Sequence, residues 1–159
     1  MGEDVAAHET RHTFTEIEEY PDHEPRTASA AFERNRRQLI EVEKRGCFVC
    51  DMLGLLPPDK PYEAHHFLCE WSEWGNVDAA KMQRLFDAGF VDFYGHSARL
   101  KGQLVESPDD IRNLLILCPL HHRASGTGIH ATTAPMWCSQ AVARDGVDIL
   151  KGSDNRVHS

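Results

Sequence analysis

The 159-residue sequence predicts an α+β fold, on three observations. Apolar residues recur at helical spacing in two stretches, 29–45 and 78–88. Two short runs, 62–70 and 114–117, have the length and composition of strands. Cysteine and histidine pairs at x2 spacing stand far apart in the chain and need tertiary closure to meet. Apolar residues make up 41% of the chain and aromatic residues 8%, enough for a modest core and unlike a wholly disordered or collagen-like sequence. No apolar run approaches the roughly 20 residues needed to cross a bilayer.

The elements follow in order. Thr27 or Ser29 can cap a first helix running to about Arg45, with Phe32, Leu39, Ile40 and Val42 on its apolar face, and Gly46 ends it. Cys47-Phe48-Val49-Cys50 follows, and 53–61 is a Pro-rich connection. Residues 62–70 suit a strand. Residues 78–88 suit a helix with Ala79, Met82, Leu85 and Phe86 on one side. Residues 89–110 carry no clear pattern until Ser107-Pro108-Asp109-Asp110, a turn or helix start. Leu114–Leu117 is a short buried strand leading into Cys118-Pro119-Leu120-His121-His122, and Gly126 and Gly128 then break the chain. Pro135 can open a last helix to about Arg144, with Trp137 and Val142 facing a core.

Charge divides the chain. The formal net charge is −8, which taken whole argues against a nucleic-acid partner. Residues 1–27 hold eight acidic against two basic residues, a charge of −6, which leaves 15 basic and 17 acidic residues, −2, for 28–159. The first 27 residues therefore read as a disordered acidic tail, 28–150 as one domain, and 151–159 as a flexible end. The N-terminal stretch has neither a basic n-region nor an apolar h-region, so no secretory signal is expected and the cytoplasm is the expected location. Arg34, Arg36 and Arg37 crowd the first helix among Glu33, Glu41 and Glu43. They read either as a solvated face or as contacts to a nucleic-acid backbone.

Five cysteines, an odd number with no export signal, favour metal over disulfides. Cys47-x2-Cys50 is a zinc knuckle, since two thiolates so spaced can reach one tetrahedral ion. Cys118-x2-His121 repeats the spacing, and together they make a structural zinc set of three sulfurs and one imidazole. Cys69 and Cys138 read as buried thiols, and Trp71 and Trp137 as core. Two adjacent pairs, His65-His66 and His121-His122, stand beside the half-sites. On an ideal strand His65 and His66 point to opposite faces. One can then hold a metal while the other faces a water, provided the strand twists or ends there.

In this order, Cys47-x2-Cys50, Glu63-Ala64-His65-His66, then Asn113-Leu114-Leu115-Ile116-Leu117-Cys118-x2-His121-His122, the chain resembles the HNH endonuclease family, the ββα-metal (His-Me finger) nucleases, in their zinc-stapled phage and bacterial form. The resemblance spans about 46–130, with 70–112 as an insertion. It implies a catalytic divalent ion held by His65 and His122, His66 as the general base that deprotonates water, and Asn113 as the brace of the loop joining the hairpin to its helix. It also implies DNA as the substrate, with RNA left open, and the cytoplasm of a bacterial cell or phage-infected host.

Imidazole has the right pKa to generate a nucleophile near neutral pH, and one divalent ion supplies positive charge to the phosphodiester oxygens. Two imidazole ligands suit Mn²⁺, Ni²⁺ or Co²⁺ at least as well as Mg²⁺. His121 stands where a cysteine is commoner, which leaves two registers for His121 and His122. Forty-six residues separate His66 from Asn113, an insertion that reads as a lid, a recognition element or extra core. His130 reads as a fold-back ligand or phosphate contact, or as a plain loop residue, and Arg123 as a nucleic-acid contact. The competing function is a non-catalytic zinc module that binds nucleic acid or protein. Such a module needs four zinc ligands but has no use for His65, His66 and His122 together.

Overall fold

A computed structural model describes residues 22–58 and 61–131, together with residues 6, 7 and 11. Most of the 1–27 acidic stretch, the helix expected from Pro135 with Trp137, Cys138 and Val142, and the 151–159 tail lie outside the described residues. The fold is mixed α+β around one small two-stranded sheet.

Helix α1 (Ala30–Arg37) is capped by Ser29, whose hydroxyl accepts the Phe32 amide at 2.9 Å. It stops short of the expected Arg45. Over Gln38–Val42 the helix widens into a π turn, and Lys44, at φ 58°, closes it before Gly46 is reached. The Glu43 and Arg45 amides bond to the Gln38 and Leu39 carbonyls, both at 2.9 Å. This exit sets the Arg45 guanidinium over the Tyr94 ring (4.9 Å) and its Nε on Glu43 (3.1 Å). Tertiary contact thus ends the helix where composition alone would continue it.

The sequence reading missed helix α2 (Phe48–Leu53), which starts inside the cysteine motif with Cys47 as its N-cap and ends on Gly54 at φ 66°. Strand β1 (Glu63–His66) is half the expected length. Beyond it the Phe67 amide still bonds to the Asn113 carbonyl, but the Leu68 amide bonds to the Asn113 side chain (2.8 Å) and the chain turns into a 3₁₀ helix at Trp71–Asn76. Strand β2 (Leu114–Leu117) pairs antiparallel with β1, Glu63 opposite Leu117 and His66 opposite Leu114.

The pleat sorts the site. Leu115 and Leu117 pack with Cys47, Val49, Cys50 and Cys118 on one face. Ala64, Leu114 and Ile116 pack with Leu39 and Ile111 on the other, against α1. Residues opposite each other in the register share a face, so His65 belongs to the cysteine side and His66 to the α1 side. The Tyr94 hydroxyl accepts the Ile116 amide (2.9 Å), which satisfies a backbone donor of β2 that β1 does not reach.

The insertion builds its own core of Cys69, Met82, Phe86, Val91 and Val105. Its helix α3 (Ala79–Asp87), capped by Asp78, buries Met82 and Phe86 but leaves Leu85 exposed. A short helix α4 (His96–Arg99) follows. Arg112 is buried, forks onto Asp110 with two 2.8 Å bonds, donates to the carbonyls of Leu100 and Gln103, and lies over Phe86. It ties the insertion to the start of β2. Helix α5 (Pro119–Arg123) leaves β2 directly, and a last 3₁₀ turn, Ile129–Ala131, folds back onto it. Among the described residues no helix is long and apolar enough to cross a membrane.

Candidate metal centre and histidine site

The two half-sites are built alike. Cys47 and Cys118 are each the N-cap of a short helix, and Cys50 and His121 follow one turn later on the same side. His121 Nδ1 lies 3.4 Å from Cys47 Sγ, 3.5 Å from Cys50 Sγ and 3.3 Å from Cys118 Sγ, and Cys50 and Cys118 are 4.0 Å apart. A tetrahedral zinc with ordinary bond lengths sets S···N near roughly 3.6 Å and S···S near roughly 3.8 Å. The four donors are buried and mutually close enough to share one ion, so this cluster can hold a metal such as zinc. The side-chain hydrogen bonds of Cys47 and Cys50 hold the Cys118 thiol far below its usual range, while contacts with Cys118 and Cys47, with burial, push Cys50 up. A metal cation bound at their centre favours the thiolate form of its cysteine ligands.

Successive residues on a helix point about 100° apart. His121 therefore turns into the sulfur cluster, and the next residue, His122, turns toward β1, where it joins His65 and His130. This selects one of the two registers left open for the pair. The three rings form a triangle with centroids 4.6–5.3 Å apart, and His130 Nε2 lies 3.1 Å from His122 Nε2. The three ligand atoms lie within 4.8 Å of one another, a donor set that can share one cation. His130 reaches the other two because Gly126, at φ 82°, and Gly128 bring the chain back across α5.

Comparison with known proteins finds no family model, no characterised protein and no solved structure that matches this chain.

Three carboxylates that the sequence reading did not assign surround the imidazoles. Glu63 Oε2 accepts His122 Nδ1–H at 2.6 Å, which leaves Nε2 as the lone pair facing the cluster. Arg123 forks onto the same carboxylate through Nε (2.9 Å) and Nη2. Glu70 places Oε1 3.5 Å from His65 Nδ1 and Oε2 3.6 Å from His66 Nδ1. Asp109 Oδ1 lies 2.8 Å from His66 Nε2. Glu63 stood within the motif, but nothing in the local pattern marked Glu70 or Asp109 as partners of β1.

Burial pushes His65 down to about 4, with Glu70 opposing, and burial lowers His122 with Glu63 opposing. Both rings are neutral at neutral pH, the state a metal ligand needs. Burial would raise Glu70, but the two neighbouring imidazoles, His66 and His65, outweigh it and hold the carboxylate low.

The remaining expected residues separate. His66 is 2% exposed, on the α1 side of the strand, with its ring 5.4 Å from that of Phe32. Asn113 is fully buried; its amide donates to the Cys69 and Pro108 carbonyls (2.9 and 2.8 Å) and its oxygen accepts the Leu68 amide. It thereby fixes the loop leaving β1. Arg36 pairs with Glu33 (2.9 Å) and Arg37 with Glu41 (3.9 Å). Arg34 lines a groove of about 830 Å³ between α1 and the 99–111 segment, with Asp109 and Arg99 also in its wall. Cys69 is buried, as expected, and burial pushes its thiol up to about 12.

Proposed function

We propose that this chain is a metal-dependent endonuclease of the HNH type that hydrolyses DNA phosphodiester bonds. In this reading a structural zinc sits at Cys47, Cys50, Cys118 and His121, and a second divalent ion is held by His65, His122 and His130. The observation that carries the reading is the convergence of three imidazoles, from β1, α5 and the Ile129–Ala131 turn, beside a complete Cys₃His set. A purely structural metal module has no need of the second set. The antiparallel pair followed directly by α5 also supports the reading, whereas Asn113 braces the loop that leaves β1 rather than the junction of β2 with α5.

A bound divalent ion supplies positive charge to the phosphodiester oxygens. The chain's own residues do the rest. Glu63 holds His122 with Nε2 inward, and Asn113 fixes the turn that follows the two strand histidines. His66 takes the proton of the attacking water. Of the basic residues, Arg36, Arg37 and Arg123 are already paired with carboxylates. Arg34, exposed and without an ion-pair partner among the described residues, is the one best placed to meet a phosphate.

One observation favours a second reading, a non-catalytic zinc module for nucleic acid or protein: the deep burial of His66 on the face away from the three imidazoles. A plasmid-nicking assay separates the two. The zinc-loaded protein, given Mg²⁺, Mn²⁺, Ni²⁺ or Co²⁺ in turn, is expected to nick DNA, with Mn²⁺, Ni²⁺ or Co²⁺ at least as effective as Mg²⁺. His122→Ala is expected to abolish nicking while its zinc content stays unchanged. No cleavage of duplex, single-stranded or branched DNA or of RNA with any of the four ions would refute the nuclease reading.

A further inference from the structure

His66 is enclosed more completely than a proton acceptor needs to be, and the enclosure has a direction. Nε2 faces Asp109 Oδ1 at 2.8 Å, a full hydrogen bond. Nδ1 faces Glu70 Oε2 at 3.6 Å, beyond direct hydrogen-bond reach, and Glu70 in turn stands 3.5 Å from His65 Nδ1. One nitrogen is thus tied into the interior and the other is turned toward the half-buried carboxylate that borders the three-imidazole site.

Asp109 is itself locked. It is 2% exposed, the Ser29 hydroxyl donates to Oδ2 at 2.6 Å, and its backbone carbonyl accepts the Asn35 side-chain amide at 2.8 Å. A buried carboxylate is costly unless donors surround it, and here two converge, the Ser29 O–H and the His66 N–H. An ionised carboxylate only accepts hydrogen bonds, so the proton of the shared bond belongs to Nε2. Because Ser29 also caps α1, the first helix, the 107–110 turn and the end of β1 are joined through one carboxylate.

We propose that Asp109 is the positioning residue for His66: it fixes the imidazole as the Nε2–H tautomer and presents the Nδ1 lone pair toward Glu70, the carboxylate that also borders His65. The proposal rests on the nuclease reading and assigns the atom that performs its proton transfer. A water gives its proton to Nδ1 as its oxygen forms the new bond to phosphorus. The bond from phosphorus to the 3′ oxygen breaks, and that oxygen takes a proton from solvent. The imidazolium so formed keeps its Nε2–H on Asp109, whose charge stabilises it, the division of labour seen in histidine–carboxylate pairs generally. The competing arrangement is a static clamp in which His66 stays doubly protonated between Asp109 and Glu70 and cannot accept a proton.

Long-range ¹H–¹⁵N spectra of the zinc-loaded protein with ¹⁵N-labelled histidine, His66 assigned by its loss in His66→Gln, separate these states. At pH 8 the proposal expects a neutral ring protonated on Nε2 alone. A ring protonated on both nitrogens, or on Nδ1 alone, would overturn it. Asp109→Asn is expected to lose this single tautomer and to lower kcat by about 10²- to 10⁴-fold with KM changed by less than about threefold. Ser29→Ala, which keeps the carboxylate and removes one of its donors, is expected to lower kcat less. If Asp109→Asn cleaves with wild-type kcat while His66→Ala is inactive, Asp109 does not position the base and the proposal falls. If wild type cleaves nothing, the nuclease reading fails, while the tautomer still decides whether Asp109 sets the ring.

Discussion

Gly128 is the residue whose replacement tests the three-imidazole site most directly. A Cβ built there would lie 2.8 Å from the Ala124 nitrogen, 2.8 Å from the Ala124 oxygen and 2.8 Å from the His122 oxygen. All three are backbone atoms of α5 or its exit, so no rotamer change relieves the clash. Ordinary contact begins near 3.4 Å, so the chain at 128 must retreat by roughly half an ångström. The short bond from the Gly128 amide to the Ala124 carbonyl (2.8 Å) lies in the path of that retreat. The neighbouring turn carries His130, whose Nε2 is 3.1 Å from that of His122. Gly128→Ala should therefore cost about 1–3 kcal/mol of stability, the usual range for overpacking. It should also weaken a second divalent ion by about 10- to 100-fold, the scale of a lost support to a metal ligand. The sulfur cluster lies on the other side of α5 and should keep its zinc. Urea unfolding, zinc content and titration calorimetry with Mn²⁺ or Co²⁺ read the three effects. Unchanged affinity for the second ion would refute the claim that the Gly128 return positions His130. Loss of zinc would show that the two clusters are not separable.

Other perturbations address the remaining supports. Cys50→Ala should lose zinc and its near-UV and far-UV circular dichroism together, because the binding energy of a structural metal is folding energy; a folded variant of unchanged zinc content would disprove the assignment. Glu63→Gln keeps the size of the side chain but removes the charge that His122 Nδ1 and Arg123 share. It should weaken the second ion by about 10- to 100-fold, measured by calorimetry, with zinc unaffected. Asn113→Ala would leave the Leu68 amide and the Cys69 and Pro108 carbonyls without their partner in a fully buried position, and should cost about 3 kcal/mol or more in urea unfolding. For His65 the folded pKa of about 4 lies below the unfolded value of 6.5, so the unfolded chain binds the extra proton between those limits. With zinc in place and no second metal, its contribution is complete above about pH 6.5 and is lost as the pH falls toward 4, by roughly 3 kcal/mol at most. His65→Gln should flatten that part of the stability profile.

What the sequence made legible was local. Cys-x2-Cys and Cys-x2-His can be read as half-sites because one helical turn sets the reach of each pair, and Leu114–Leu117 can be read as buried because no polar residue interrupts it. The helix at 78–88 was legible from its spacing and the Asp78 cap. The end of α1, the short β1 and the unexpected α2 were not, because each is decided by a distant partner or by the motif itself. Arg45 stacks on Tyr94, and the Asn113 side chain takes the Leu68 amide that would have extended β1. Helix α2 is too short, six residues between Cys47 and Gly54, to show a helical period of its own. The same limit hid the carboxylates. Asp109 stands 43 positions from His66, and Glu70 lies beyond the turn that ends β1.

Those carboxylates change the meaning of the overall charge. A total of −8, or −2 outside the first 27 residues, argues against a polyanionic partner only if the acidic groups face solvent as an even field. Several do not. Asp109 is buried against His66 and Ser29, Asp110 is forked by Arg112, and Glu63 is shared by His122 and Arg123. Glu70 sits between two histidines. These charges organise imidazoles and guanidinium groups from within, where they act over a few ångströms, and they contribute little to a long-range field that salt already screens. Affinity for a nucleic acid would then rest on Arg34 and on bound cations rather than on bulk charge. Such binding should be weak, with a salt dependence close to that of one or two phosphate contacts.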